Sequence, residues 1–218
     1  DVFEISETTG SYYGNKVEAY KKEIEYDKPI YEHFRLHGDI LDVGGLTGTL
    51  REFLNEGQRY VSIDPFISGL SQTTSAKKKA YSCLSKPLNF IGGVAEFLPF
   101  LKNSFNYVHM RSMLDHVQIP DLALKEANRV LKTGGKLIVG LYVEGGKTGN
   151  KSITMYLKDI IRHSLEFFGV EKYKDFHVWH PTYQNLLKLI TDNDFSVNES
   201  YWQPYWKDQV VYVLATKL

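Results

Sequence analysis

The chain has 218 residues, 43% hydrophobic and 24% charged, which are ordinary fractions for a globular protein long enough to form one well-cored domain. Its 26 basic and 26 acidic residues give a formal charge of zero, which excludes a global field favouring nucleic acid or an anionic membrane. The single cysteine, Cys83, excludes an internal disulfide, and no apolar run is long enough to span a bilayer, so we predict a cytoplasmic protein.

Short apolar runs alternate with segments of helical periodicity along the chain, which is typical of a mostly parallel sheet with helices on both faces. Seven strands are predicted, at residues 39–43, 59–64, 88–91, 105–110, 136–142, 195–202 and 209–216. Helices are predicted at residues 18–34, 49–55, 120–131, 153–168 and 183–191. The last two strands are joined by a short segment and should form an antiparallel hairpin at the sheet edge. The fold class is therefore α/β.

Two segments interrupt this alternation. The connection at residues 68–87 is polar and unusually long, and its basic run, residues 77–79, is best explained as a solvated face. Residues 144–181 contain a glycine-rich turn, a helix and an aromatic-rich stretch, and we predict that they form a lid or acceptor-binding insertion. We expect one domain over residues 1–218, cut from a longer chain because the sequence begins with Asp1 and not with Met.

The stretch Asp42-Val43-Gly44-Gly45-Leu46-Thr47-Gly48 lies between the first predicted strand and the next helix. Glycines at such a turn let the backbone approach a ligand at the carboxyl edge of the sheet, although in isolation they could equally be turn glycines. The dinucleotide fingerprint fails because Leu46 stands where its second glycine belongs. A phosphate-binding loop fails because Gly48 is not followed by lysine.

This stretch resembles motif I of the class I S-adenosylmethionine-dependent methyltransferases (acid-x-Gly-x-Gly-x-Gly), with Leu46 at the central glycine. Further stretches resemble the family's later motifs in the same order: Ser62-Ile63-Asp64-Pro65, residues 93–100, residues 104–117 and residues 123–137. Together they cover residues 39–142 and are similar to the type 11 methyltransferase domain. The resemblance implies a Rossmann-like sheet of seven strands with an antiparallel C-terminal hairpin.

The resemblance also implies S-adenosyl-L-methionine as the cofactor and a set of residues that contact it. Asp64 would accept the ribose hydroxyls, or else cap the next helix. Asp42 would contact the methionine amino group or support it from behind, or else cap the amides of the glycine loop. Residues 1–38 resemble the family's N-terminal cap, whose aromatic side chains close over the cofactor or pack the core. The predicted cofactor-binding residues are Asp42, Gly44, Gly45, Gly48, Asp64, Pro65, Ala95, Glu96, Arg111 and Tyr20.

Titratable side chains mark the predicted acceptor side. Asp115 and His116 lie on the loop after the fourth strand, and His177 and His180 flank Trp179 in the predicted lid. A histidine has a suitable pKa for a general base near neutrality, so we predict His116, Asp115 and His180 as catalytic residues. No metal is predicted, because no paired-acid spacing requires one, although Asp115, His116 and a lid histidine could gather an ion.

The predicted reaction is S-adenosylmethionine-dependent O-methylation of a small polar acceptor, such as a sugar or glycan end. That acceptor class rests on a looser C-terminal resemblance to polysaccharide-modifying members of the family. Two alternatives stay open: N- or C-methylation of another small molecule, and a non-catalytic cofactor-binding module fused to further domains. No nucleic-acid partner and no membrane span are expected.

Overall fold

The computed structural model describes residues 16–46, 48–66, 82–85, 89–149, 177–204 and 208–218, together with Leu157, Ile160, Ile161, Ser164 and Phe167. Within these ranges, the side chains of residues 16–19, 84 and 85 are not described. The five isolated residues are helical, in agreement with the helix predicted at 153–168, but most of that prediction and of the predicted lid lies outside the described residues.

Seven strands form one sheet in the order β3-β2-β1-β4-β5-β7-β6. The strands β1 to β5 run parallel, and β7 lies antiparallel between β5 and β6. The predicted fold class is therefore confirmed. The strands are β1 (Asp39–Val43), β2 (Arg59–Asp64), β3 (Phe90–Gly92), β4 (Phe105–Arg111), β5 (Leu131–Tyr142), β6 (Phe195–Trp202) and β7 (Val210–Lys217).

Among the described residues, three helices with defined bounds pack on this sheet: α1 (Lys16–Phe34), α2 (Pro120–Val130) and α3 (Tyr183–Asp192). Three short 3₁₀ helices cover Thr49–Phe53, Ser82–Ser85 and Gly146–Thr148. The helix α2 begins with Pro120, whose missing N–H is not needed in a first turn, and the Thr182 side chain caps α3 by accepting from Asn185 N at 3.2 Å. None of the described helices is long and apolar enough to cross a membrane.

The start of β5 differs most from its prediction, while most other boundaries agree within two residues and the helix predicted at 49–55 is a short 3₁₀ helix ending at Phe53. Residues 132–135, which lie between the predicted helix at 120–131 and the predicted strand at 136–142, belong to β5, which begins at Leu131. The pairing of β5 with β4 shifts between Phe105 opposite Leu131 and Tyr107 opposite Lys136, so the extra residues form an irregular start to the strand. Gly134, with φ of 70°, supplies the left-handed backbone that this irregularity requires.

The central strands are buried on both faces. Leu41 packs into the hydrophobic core beside α2 and α3, and Ile40, its neighbour in β1, packs into the second core beneath α1. A strand covered on both sides cannot open its faces to a ligand, so the carboxyl ends of the strands are the accessible part of the sheet. The helix α1 lies beside these ends and limits access to them.

Candidate active site

The glycine loop after β1 has no room for a side chain at Gly45. A Cβ built there would overlap Asp42 Oδ2 and lie 2.6 Å from Ser62 Oγ. Gly44 N donates to Ile63 O at 2.8 Å, which ties the start of the loop to β2. The loop therefore presents bare backbone at the carboxyl edge, as the sequence predicts.

Leu46, which stands at a glycine position of the family pattern, has a left-handed backbone conformation with φ of 33°. Its N–H donates to Asp64 Oδ2 at 3.3 Å. The other Asp64 oxygen accepts from Phe66 N at 2.8 Å, and burial raises the pKa of this carboxyl. A carboxylate has about four acceptor sites, so Asp64 keeps capacity for a ligand's hydroxyls.

Asp42 lies beneath the loop and is only 3% exposed. Tyr60 OH donates to its Oδ2 at 2.6 Å, and His109 Nδ1 lies 2.8 Å from its Oδ1. The Tyr31 hydroxyl lies 3.0 Å from His109 Nε2. Protein groups thus engage both carboxylate oxygens of Asp42, which favours support of the loop from behind; its contact with the cofactor stays a prediction.

A cavity of about 270 Å³ opens between α1, the glycine loop and the end of β4. Four predicted cofactor residues line it: Asp42, Gly44, Gly45 and Arg111. The cavity is also lined by residues that were not predicted to bind the cofactor: Glu23, Tyr31, Leu46, Thr49, Leu50, His109 and Ser112. Tyr31 and His109 lie at positions where the periodicity of their helix and strand predicts core residues. No sequence signal therefore distinguishes them from ordinary packing residues.

Arg111 joins β4 to α1 across this cavity. Its Nη1 lies 2.5 Å from Asp27 Oδ2 and 3.6 Å from Glu23 Oε1. Glu23 and Asp27 are four residues apart and so share one face of α1. Burial raises the pKa of Asp27 to about 6, against the opposing effect of the Arg111 charge, and burial also raises the pKa of Glu23. No motif in the sequence marks either acid as part of the site.

The other predicted cofactor residues lie around the cavity and do not line it. Glu96 Oε1 accepts from Gln118 N at 3.0 Å and from Ile119 N at 3.4 Å, which fixes the loop before α2. The Tyr20 hydroxyl lies 3.1 Å from Ser82 Oγ. Ala95 and Gly48 are buried, and Pro65 is exposed. Contacts of these residues with a cofactor stay predictions.

On the predicted acceptor side, the structure brings Asp115 and His116 together with His177. His116 Nε2 lies 3.9 Å from Asp115 Oδ1, and His177 Nε2 lies 3.6 Å from Asp115 Oδ2. The His180 ring is 5.7 Å from that of His177. Both carboxylate distances exceed a hydrogen bond, so Asp115 does not orient either imidazole as the acid of a catalytic triad does.

Comparison with known proteins identifies the central part of this fold. Residues 41–139 match a family model described as a methyltransferase domain. This central part of the chain is similar to the methyltransferase domain family. This confirms the resemblance to the class I S-adenosylmethionine-dependent enzymes, and the family implies S-adenosylmethionine as the cofactor of this domain.

The curated relatives are similar to about half of the chain. The ubiquinone/menaquinone biosynthesis C-methyltransferase UbiE of Rhizobium rhizogenes is 37% identical over 106 residues, covering 46% of this chain and 40% of the relative. The demethylmenaquinone methyltransferase of Renibacterium salmoninarum is 37% identical over 101 residues, covering 46% and 39%. The chain thus spans about two fifths of the length of these relatives.

Solved structures share the fold over most of the chain. A SAM-dependent methyltransferase of Thermotoga maritima, described as a possible histamine N-methyltransferase, superimposes with a TM-score of 0.64 at 17% identity, covering 99% of this chain and 97% of that one. The [4+2]-cyclase SpnF gives a TM-score of 0.61 at 18% identity, covering 87% and 79%. Because one neighbour is named a cyclase, the likeness shows the fold and leaves the reaction to the site.

The described residues fit S-adenosylmethionine. The glycine loop has no room for a side chain at the place where its backbone is expected to contact the ligand. The buried Asp64 carboxylate lies at the end of the neighbouring strand and has acceptor sites left for ligand hydroxyls. The cavity beside them is lined by both acidic and basic side chains, Glu23 and Arg111, which suits the zwitterionic amino-acid end of such a ligand.

Proposed function

We propose that the protein transfers a methyl group from S-adenosylmethionine to a small-molecule acceptor. The observation that carries this proposal is the cavity between α1 and the glycine loop, which opens next to Ser112 at the start of the loop that carries Asp115 and His116. When bound, the cofactor supplies an electrophilic methyl group. The chain must then hold both reactants in line and exclude water.

The cavity and the strand end beside it divide these tasks. Gly44 and Gly45 offer backbone for close approach, and Asp64 offers a carboxylate for two hydroxyls. Glu23 and Arg111 offer opposite charges for an ammonium and a carboxylate group. The helix α1 is held to the sheet by the Arg111 contact with Asp27, so it covers the cofactor once the cofactor is bound.

The acceptor is proposed to contact the loop after β4, where Asp115 and His116 lie, with His180 near them across His177. The comparisons lend no support to a sugar or glycan acceptor, and the Rhizobium rhizogenes relative is named a ubiquinone/menaquinone biosynthesis C-methyltransferase. We therefore favour a carbon of a hydroxylated ring. Loss of a proton from the ring hydroxyl makes the neighbouring carbon nucleophilic, so this acceptor and an O-methylated one need the same polar groups.

Calorimetry tests the cofactor half of the proposal. The wild-type protein should bind S-adenosylmethionine and S-adenosylhomocysteine with micromolar affinity, and Asp64→Ala should weaken both by at least about tenfold, because charge-assisted hydrogen bonds contribute about 1.5–3 kcal/mol each. Asp39→Ala is the matched control, because Asp39 begins β1 at the opposite edge of the sheet. Folded wild-type protein that binds neither compound would overturn the proposal.

Product formation tests the acceptor half. Release of S-adenosylhomocysteine should be greater with hydroxylated aromatic rings than with simple sugars, and His116→Ala should lower turnover without changing cofactor affinity. The exposed His37 gives the control variant, His37→Ala. Cofactor binding without turnover on any acceptor of either class would favour the non-catalytic module.

A further inference from the structure

Asp115, His116 and His177 place three metal-ligating side chains at one point, and we call them the His–Asp cluster. One ligand atom from each residue lies within 4.8 Å of the other two. Asp115 and His116 follow β4, and His177 precedes α3, so the cluster joins two loops that are distant in the sequence.

The distances within the cluster fit an ion better than a hydrogen bond. The Asp115 oxygens lie 3.6 Å from His177 Nε2 and 3.9 Å from His116 Nε2, beyond the range of about 2.7–3.2 Å for N–H···O bonds. Two ligands bound at about 2.0–2.1 Å to a tetrahedral ion are about 3.4 Å apart. The exposed pair of His33 and Glu199 differs, since its Nε2 and Oε2 are 3.0 Å apart and form a hydrogen bond.

The surroundings of the Asp115 carboxylate favour a bound cation. The residue is 7% exposed, and its Oδ1 accepts no hydrogen bond in the described part of the chain. Among the described side chains, only the two imidazoles lie within ion-pair distance of its carboxylate. A buried carboxylate oxygen without a partner destabilises the fold, because it has lost its hydration without gaining a hydrogen bond. A bound cation would remove that cost.

Backbone contacts hold the cluster together without help from the side chains. The Asp115 carbonyl accepts from Val178 N at 2.7 Å and from Trp179 N at 3.2 Å, which fixes the segment after His177 against the loop. Glu144 N donates to Pro181 O at 2.8 Å and anchors the same segment to the end of β5. The ligand positions are therefore largely preorganised, as a metal site requires.

We propose that the His–Asp cluster binds a divalent transition-metal ion of the Zn²⁺ or Co²⁺ type. Two imidazole nitrogens and one carboxylate suit such ions, and three protein ligands leave an open position, which is typical of catalytic rather than structural sites. Binding of the ion does not rest on the proposed function. If methyl transfer holds, an acceptor hydroxyl takes the open position, where the ion lowers its pKa and His116 acts as a ligand.

Titration with metal tests this site without any methyl transfer. Chelator-treated protein is titrated with Co²⁺ while its visible d–d absorption is recorded, and Zn²⁺ is then added as a competitor. We expect one ion per chain, with His116→Ala and His177→Ala each lowering affinity at least about tenfold. His33→Ala is the matched control, because His33 is exposed and paired with a single carboxylate, and it should leave affinity unchanged.

The variants keep the test decisive. Both imidazoles are about half exposed, at 47% for His116 and 44% for His177, so their removal should not unfold the chain. Asp115→Asn is added with a thermal melt, and a folded Asn variant should also lose the ion. Absence of saturable binding to the wild type, or binding that survives in both histidine variants, overturns the metal site. Neither result bears on the calorimetry with Asp64→Ala, which separates this proposal from the proposed function.

Discussion

Asp42 Oδ1 and His109 Nδ1 lie 2.8 Å apart at the buried floor of the glycine loop. The second nitrogen of the imidazole contacts the Tyr31 hydroxyl at 3.0 Å, so the contact extends from β1 through β4 to α1. These three elements surround the cavity. The position of the loop therefore depends on a polar chain that runs through the core, in addition to its own glycines.

Replacement of His109 tests this chain. His109→Ala leaves the Asp42 Oδ1 atom and the Tyr31 hydroxyl without partners in a buried environment, and it should lower the free energy of unfolding by about 3 kcal/mol. Cofactor affinity should fall as well, because Asp42 packs against Gly45. Urea unfolding measures the first effect and calorimetry the second. A loss of stability no larger than that of the exposed variant His37→Ala would contradict the prediction.

Leu46 provides a test of loop strain. A left-handed backbone costs a residue with a side chain about 1–2 kcal/mol, and glycine loses about 0.5–1 kcal/mol more entropy on folding. Leu46→Gly should therefore stabilise the protein by about 0.5–1 kcal/mol. Arg35 has φ of 47° at the end of α1, so Arg35→Gly is a control that should gain similar stability. Only the change at Leu46 should alter cofactor affinity; equal effects of both on binding would contradict the interpretation.

Much of the fold follows from local sequence pattern. The strands β1, β2 and β6 begin and end at the predicted residues, because each has turn-forming residues on both sides. The predicted start of β5, at residue 136, was wrong because Gly134 and Gly135 are typical of a helix end. In the structure, the pairing of β5 with β4 continues past an irregularity and includes these residues in the strand. Tertiary pairing of this kind has no local signal.

The site is predictable only in part for the same reason. Asp42, Asp64 and the glycines lie in short contiguous motifs at the ends of two strands, so they can be recognised from the sequence. Asp27 and His177 act through contacts with Arg111 and Asp115, which come from remote parts of the chain. Their roles depend on strand order, which the sequence pattern alone does not determine.

The burial of Asp27 against Arg111 should make the free energy of unfolding depend on pH. Asp27 is fully buried, and burial raises its pKa from 3.8 to about 6, while Arg111 opposes the shift; the charges of Glu23 and His109 also act on it. Below about pH 4, Asp27 is protonated in both the folded and the unfolded chain. Between pH 4 and 6 the unfolded chain loses this proton more readily, so ionisation favours unfolding.

The free energy of unfolding should therefore contain a contribution from Asp27 that is fully present below about pH 4 and is lost as the pH rises through about 6. At 1.36 kcal/mol per pH unit, the loss amounts to about 3 kcal/mol. Urea unfolding of wild type and Asp27→Asn between pH 4 and 7.5 measures it as the change in their difference. Asp39→Asn is the control, because Arg59 and Lys132 lower the pKa of Asp39 to about 2, and its difference from wild type should stay flat in this range. Parallel curves for wild type and Asp27→Asn would show that Asp27 ionises equally well in both states, and that α1 does not shield it from water.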